Sequence, residues 1–262
     1  MHFSTFSCWI QVDGTPLPEY QVQDSPDGAG VRCWIPSEVG KAFQICCSDS
    51  ERALTTGSVA IVDGQKCGGN ILYSKSDRPR SKYSFTTQKG AVISETSYRP
   101  FVFSNCQLVD DDNLLDRPSE IGQIKVVIHE IRIHGREPPR NIALAPLQMH
   151  ERAKKGIVHG IRLGNEVVEK QNPTKKSSSL RKIATFTFNY RPMGVLVAEG
   201  IAPRSEDVRV TTKVMPMPSS NVVDLTLNDD SDKEASCSQK GRIDIELVKQ
   251  ERPDDVVIDL TV

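Results

Sequence analysis

The chain has 262 residues, of which 37% are hydrophobic and 26% charged; that suffices for one large domain or two small ones but is lean in apolar residues for a chain folded throughout. Its net charge of -1 conceals a division, since residues 205–262 carry 13 acidic and 7 basic side chains whereas residues 1–204 carry 21 and 26. A mildly basic body with an acidic tail, and no dense basic stripe interleaved with aromatics, argues against a nucleic-acid surface. No apolar run reaches the roughly 20 residues that span a bilayer.

The opening residues lack a basic leader and a long apolar core, so no signal peptide is expected. The chain is read as intracellular, nuclear or nucleocytoplasmic. The seven cysteines are an odd number without metal-ligand spacing and read as reduced thiols, mostly in the core.

In chain order, residues 7–12 have the aromatic and β-branched content of a strand, closed by Asp13-Gly14. Pro16, Pro18 and the Ser-Pro-Asp-Gly of 25–28 mark turns. Residues 31–35 form a second strand stopped by Pro36, residues 42–47 a third, and residues 58–62 a fourth closed by Asp63-Gly64. Gly68-Gly69 reads as a turn. Residues 82–86, 91–95 and 99–103 continue the pattern, and an acidic loop follows at Asp110-Asp111-Asp112.

The longest β signal is Gly122 to Ile133, apolar on both sides, which predicts a strand covered on both faces. From Pro138 to Ser179 the signal weakens, and the Lys and Ser clusters near 165–182 read as a flexible basic insertion. Residues 183–190 alternate again, with Phe186, Phe188 and Tyr190 on one face. Pro192 then opens a short helix from Met193 to Glu199, closed by Gly200. Short strands separated by turns, with one helix at the end, predict an antiparallel β-sandwich or jelly-roll-like domain over 1–203. Residues 204–262 are too polar and acidic to offset ordering entropy and are expected to be a disordered tail.

The body offers little chemistry. His129 and His134 are five apart on a strand, which puts them on opposite faces and fails the spacing of a zinc helix. Adjacent Cys46 and Cys47 should point to opposite faces, one into the core and one to the surface, whereas a redox pair is more typically two residues apart. The acidic loop lacks the spaced oxygen ligands of a calcium site. No serine sits in a nucleophile elbow. No catalytic residue, cofactor or metal is therefore expected. Lys175-Lys176 with Arg181-Lys182 resemble a loose bipartite nuclear signal, a pattern also common on solvated loops.

Trp9, Val12-Asp13-Gly14, the segment Cys33 to Lys41, Val62-Asp63-Gly64, Arg99 to Phe103, Gly122 to Ile133, Phe186 to Pro192 and Gly200 to Pro203 together make residues 1–203 resemble a domain-of-unknown-function family expanded in mushroom-forming basidiomycete fungi. Related sequences often end the long strand with a tryptophan-bearing segment, where this chain has His129 to His134. The resemblance implies a β-rich domain and carries no assigned activity.

The tail carries the clearest partner signals. Val222-Val223-Asp224-Leu225-Thr226 and, after Val256, Val257-Ile258-Asp259-Leu260-Thr261 resemble SUMO-interacting motifs, short aliphatic segments that add as a strand to the exposed sheet edge of the small ubiquitin-like modifier. β-branched residues suit the extended state. The neighbouring acids Asp229, Asp230, Asp232, Asp254 and Asp255 would meet a basic rim on that partner. Ser231, with Glu234 three residues on, resembles an acidophilic-kinase site that would add negative charge there.

Val248-Lys249-Gln250-Glu251 resembles a SUMO-attachment consensus, with Lys249 as acceptor and Val248 and Glu251 read by the SUMO-conjugating enzyme. The expectation is a non-enzymatic adaptor that binds SUMO or SUMO-modified proteins and is itself modified, with a further, unidentified protein partner for the β domain. Two alternatives stand beside it. One is a β-sandwich ligand binder or enzyme with a passive tail. In the other, residues 256–262 or 243–248 dock back on the domain as an edge strand.

Overall fold

Apolar and polar residues alternating at period two write most of the architecture, because successive side chains of a strand point to opposite faces. The computed structural model describes residues 1–109, 120–139, 142, 144, 148–150, 159–204 and 257–260. Its first half contains β1 (His2–Phe3), β2 (Phe6–Val12), β3 (Thr15–Pro16), β4 (Tyr20–Asp24), β5 (Gly30–Ser37), β6 (Ala42–Asp49), β7 (Thr56–Val62), β8 (Gln65–Leu72) and β9 (Ser84–Gln88). Then come β10 (Gly90–Ser94), β11 (Ser97–Asn105), β12 (Gln107–Val109), β13 (Gln123–Arg136), β14 (Gln148–His150), β15 (His159–Leu163), β16 (Val167–Val168), β17 (Lys175–Pro192), the helix α1 (Met193–Ala198) and β18 (Val257–Leu260).

The protein is mainly β, with two large sheets and one short helix. The first sheet runs β1-β2-β6-β11-β10, with β3, β9, β15 and β16 attached along it. The second runs β13-β7-β8-β18-β17-β5-β4. It is mixed rather than wholly antiparallel, because β17 runs parallel to both β5 and β18. Between the sheets lies one core, to which the first contributes Phe6, Ile10, Phe43, Phe101 and Phe103 and the second Ile35, Val62, Ile124, Phe186, Phe188 and Tyr190. The rings of Phe43 and Phe103 stack at 4.6 Å, and Phe103 meets Tyr190 at 5.4 Å across the two sheets. Each such buried aromatic contributes about 1.5–3 kcal/mol by area alone, so these rings dominate the cohesion of the sandwich.

The Asp-Gly pairs at 13–14 and 63–64 are two-residue hairpin loops. Asp13 and Gly14 join β2 to β3, and Asp63 and Gly64 join β7 to β8, all four with positive φ (50° and 79°, 48° and 79°). That is the type I′ geometry whose twist matches the flanking strands.

The structure departs from the sequence reading at several points, each for a tertiary reason. The second strand continues through Pro36 to Ser37, since it needs no amide there to pair in parallel with β17 as far as Pro192. Gly68-Gly69 is not a turn but part of β8. Cys67 and Gly68 (φ 76°) form a bulge opposite Ala60, and a Cβ on Gly69 would stand 1.8 Å from the Ser58 carbonyl oxygen.

The basic insertion near 165–182 is also corrected. Lys175 to Lys182 belong to the 18-residue β17, laddered against β13 from Arg136↔Lys175 onward. Its serines and lysines lack apolar alternation, but Ser178, Ser179 and Arg181 find cross-strand partners in His134, His129 and Glu130.

Finally, Cys46 and Cys47 are both buried, at 0% and 2% exposure. Cys47 joins the core, while Cys46 lies on the opposite face of β6. There Trp9 of β2, paired with Cys46, and Phe85 of β9, paired with Ser48, stack at 5.6 Å and cover it. Burial pushes the thiols of Cys33 and Cys67 up to about 12 and that of Cys8 well above its ordinary value, leaving almost no nucleophilic thiolate at neutral pH. In native protein at pH 7.5, Cys8, Cys33, Cys46, Cys47 and Cys67 are expected to resist an alkylating reagent and to react fully in denaturant. Mass spectrometry that finds Cys46 or Cys47 alkylated rapidly in the native state would contradict this packing.

Candidate functional site

Among the described residues, the strongest convergence of polar groups is at Asp63. Its backbone sits in the type I′ turn after β7, which turns the carboxylate inward. Oδ1 accepts from the Gly122 amide at 2.8 Å and Oδ2 from the Ile161 amide at 3.0 Å, while the Tyr190 hydroxyl donates to both oxygens at 2.6 and 2.8 Å. The Asp63 amide in turn donates to the Gln123 carbonyl. Four segments are tied to one side chain: the β7–β8 turn, the start of β13, β15 of the opposing sheet and the end of β17.

Desolvation by burial raises the Asp63 carboxyl to about 6 even though its donors pull the other way, and the same burial, with the carboxylate beside it, pushes the Tyr190 phenol well above its usual range. A carboxylate with a shifted pKa invites a catalytic reading. Here, however, its oxygens are occupied by the chain's own donors, and the arrangement is a structural tie.

Arg52 is a second buried charge. Its guanidinium donates to the carbonyls of Tyr73, Ser74, Arg78 and Ser81, which fixes the 73–81 loop. Neither Asp63 nor Arg52 is visible as a site in the sequence, where one is turn chemistry and the other a charged residue in a loop.

The histidines behave as strand geometry dictates. His129, half-buried, meets the Ser179 hydroxyl through Nδ1 at 2.8 Å, and His134, exposed, meets Ser178 through Nε2 at 2.8 Å. Because Ser178 and Ser179 are adjacent on β17, the two rings lie on opposite faces. Burial lowers the His129 pKa, with Lys182 and Lys66 adding to it. In the basic cluster 175–182, Arg181 pairs with Glu130 at 2.7 Å and Lys182 with Asp27 at 3.6 Å.

Of the tail motifs, Val257, Ile258, Asp259 and Leu260 lie on a described strand. They form β18, which has a neighbour on each side: it is antiparallel to β8 (Val257↔Asn70, Ile258↔Gly69) and parallel to β17 (Lys175↔Ile258, Lys176↔Asp259, Ser177↔Leu260). It is therefore an interior strand, not the edge strand of the docking alternative. Since β13 and β17 also pair directly, the strands β13, β7, β8, β18 and β17 close into a ring. On the ring's strands, on the face away from the main core, Val59, Ile71 and Ile131 form a second apolar cluster with Ile61, Tyr73 and Ile133 against it. Val222, Val223, Asp224, Leu225, Ser231, Val248, Lys249, Glu251 and Val256 lie outside the described residues, as does the loop Asp110-Asp111-Asp112.

A family model described as a domain of unknown function, DUF7918, matches residues 5–205, and the chain belongs to that family. No curated protein and no solved structure matches it. The match ends shortly after α1 and leaves β18 and the rest of the acidic tail outside it.

The Asp63 tie has two measurable consequences. Tyr190→Phe removes a donor shared by both carboxylate oxygens and should cost about 2 kcal/mol in a denaturant titration; a change below about 0.5 kcal/mol would mean that the hydroxyl is dispensable. Because the folded carboxyl titrates near 6 against an ordinary 3.8, folding takes up a proton in that window. The stability this confers is complete below pH 4 and is lost as the pH rises through 6. The stability difference between wild type and Asp63→Asn should therefore shift in favour of wild type, by on the order of 2 kcal/mol, as the pH falls from 7 to 4. A shift the other way would contradict the burial of an ionised Asp63 at neutral pH.

Proposed function

We propose that this protein is a non-enzymatic adaptor that binds SUMO or SUMO-modified proteins through its acidic tail, by strand addition, and is itself modified at Lys249. The observation that carries this reading is a repetition with a conformation. Val222-Val223-Asp224-Leu225-Thr226 and Val257-Ile258-Asp259-Leu260-Thr261 are near-identical aliphatic segments, each with an acid at its centre. Val257–Leu260 of the second adopt, against the chain's own sheet, the extended paired state that such recognition uses.

Two such segments on one chain give avidity toward a SUMO chain or a multiply modified partner. Lys249 stands within about 30 Å of chain of the second segment at full extension, so conjugation and binding occupy one short stretch. The residues assigned to contact are Val222, Val223, Asp224, Leu225, Val256, Val257, Ile258, Asp259 and Leu260. Val248 and Glu251 flank the acceptor for the conjugating enzyme, and a phosphate on Ser231 strengthens the acidic flank. The DUF7918 domain then holds a second protein partner, and the chain acts in the nucleus or between nucleus and cytoplasm.

Titration of the full chain with SUMO tests binding. Replacing Val222, Val223, Val257 and Ile258 with alanine removes four aliphatic anchors and should weaken binding about a hundredfold or more; an unchanged affinity would exclude these segments. In a reconstituted conjugation reaction, Lys249→Arg should abolish the main modified band, and its persistence would rule out Lys249 as the principal acceptor.

A further inference from the structure

The strand the proposed function assigns to a partner is already in use. A strand within a sheet commits its amides and carbonyls to both neighbours, and β18 has β8 on one side and β17 on the other. Strand addition to a second protein needs one of those edges free and the aliphatic side chains of the segment available to the partner's groove. The two states draw on the same four residues, Val257–Leu260, and cannot coexist.

The receiving slot is formed by two strands that each pair with the extended segment. Gly69 stands opposite Ile258, and the close approach of β7 to its other side means that β8 carries no side chain at that position. Beyond Leu72 and before Lys175 both flanking strands end, on the side where β18 begins. In the register, Asp259 is paired with Lys176 and Ile258 with Lys175.

We infer that the slot between β8 and β17 is a receptor for the chain's own Val257–Leu260 strand, and that docking there and capture of SUMO by that strand are mutually exclusive. The inference rests on the proposed SUMO reading for its second half; the first half stands on the pairing alone. It makes the two tail copies unequal. The C-terminal copy is withheld in proportion to its docked population, because a ligand for a fractionally available segment binds with an affinity reduced by that fraction. A partner that engages it unzips the ring and exposes the edges of β8 and β17, so that occupancy of the tail is reported to the domain.

The test uses the full chain carrying Val222→Ala and Val223→Ala, which leaves one copy, beside a synthetic peptide of residues 253–262. The peptide should bind SUMO roughly tenfold more tightly than the same segment in the full chain, which corresponds to a docked population of about 90%. Hydrogen exchange followed by mass spectrometry should find residues 257–260 of the full chain protected about tenfold or more relative to the peptide. Saturating SUMO, or Ile258→Pro in the same background, should release that protection together with the protection of residues 69–71 and 175–177, while β2 and β6 remain protected.

Peptide-like exchange at 257–260 in the full chain overturns the slot, whatever SUMO does. Protection with equal affinities for peptide and chain, or protection that survives saturating SUMO, overturns the exclusivity. A peptide that does not bind SUMO removes the proposed function and the competition with it, and is told apart from failure of the slot by the exchange result.

Discussion

A single buried carboxylate holds the sandwich in register. Asp63 accepts from Gly122 and Ile161 amides and from the Tyr190 hydroxyl, and these donors belong to both sheets. Burial of an ionised group is costly unless its lone pairs are filled, and here the filling is what joins the layers. The turn that carries Asp63 sets where β7 ends and β8 begins, Gly122 sets the start of β13, and Tyr190 sets the end of β17. A slip of one residue in any of these strands would leave a buried charge short of donors, so the register of the second sheet is specified chemically as well as by its apolar faces.

That register has consequences at the far end of the same strands. β13 and β17 run together from Gln123↔Asn189 to Arg136↔Lys175, with three irregularities along the way at Ile128/His129, Glu130/Ile131 and Ile133/Gly135. Bulges bend a strand and strengthen its twist, and along this length β17 exchanges β5, paired at residues 185–192, for β18, paired at residues 175–177, as its other neighbour. The sandwich end of this long hairpin is pinned by Asp63 and Tyr190, and the other end receives the tail strand. The domain and the tail are thus coupled through β17, one strand serving both.

The parts of the fold legible in the sequence are those where local chemistry and tertiary structure agree. The alternation of Phe186, Phe188 and Tyr190, the Asp-Gly hairpin loops, and the helix between Pro192 and Gly200 belong to this class. What was illegible depended on distant residues. Cys67-Gly68-Gly69-Asn70 has a turn's composition and becomes a strand because only glycine tolerates the approach of Ser58. Lys175 to Ser179 has a linker's composition and becomes a strand because β13 and β18 pair with it on its two sides. Asp63 looks like a turn residue because its partner Tyr190 lies 127 positions away. In the tail, the aliphatic segment 257–260 was visible as a strand former, but periodicity carries no information on which sheet it joins, and here it joins the interior of its own.

In the proposed function the tail strand has two competing uses, completion of its own sheet and addition to another, and each needs the same backbone edges. The most direct measurement is a set of cross-strand nuclear Overhauser contacts in the isotopically labelled full chain. Contacts linking residue 258 to residues 69 and 175 should be present in the free protein and vanish on saturation with SUMO, while those joining residues 124 and 188 in the β13–β17 hairpin persist. Absence of the 258 contacts in the free protein, or their survival in the complex, would contradict the account.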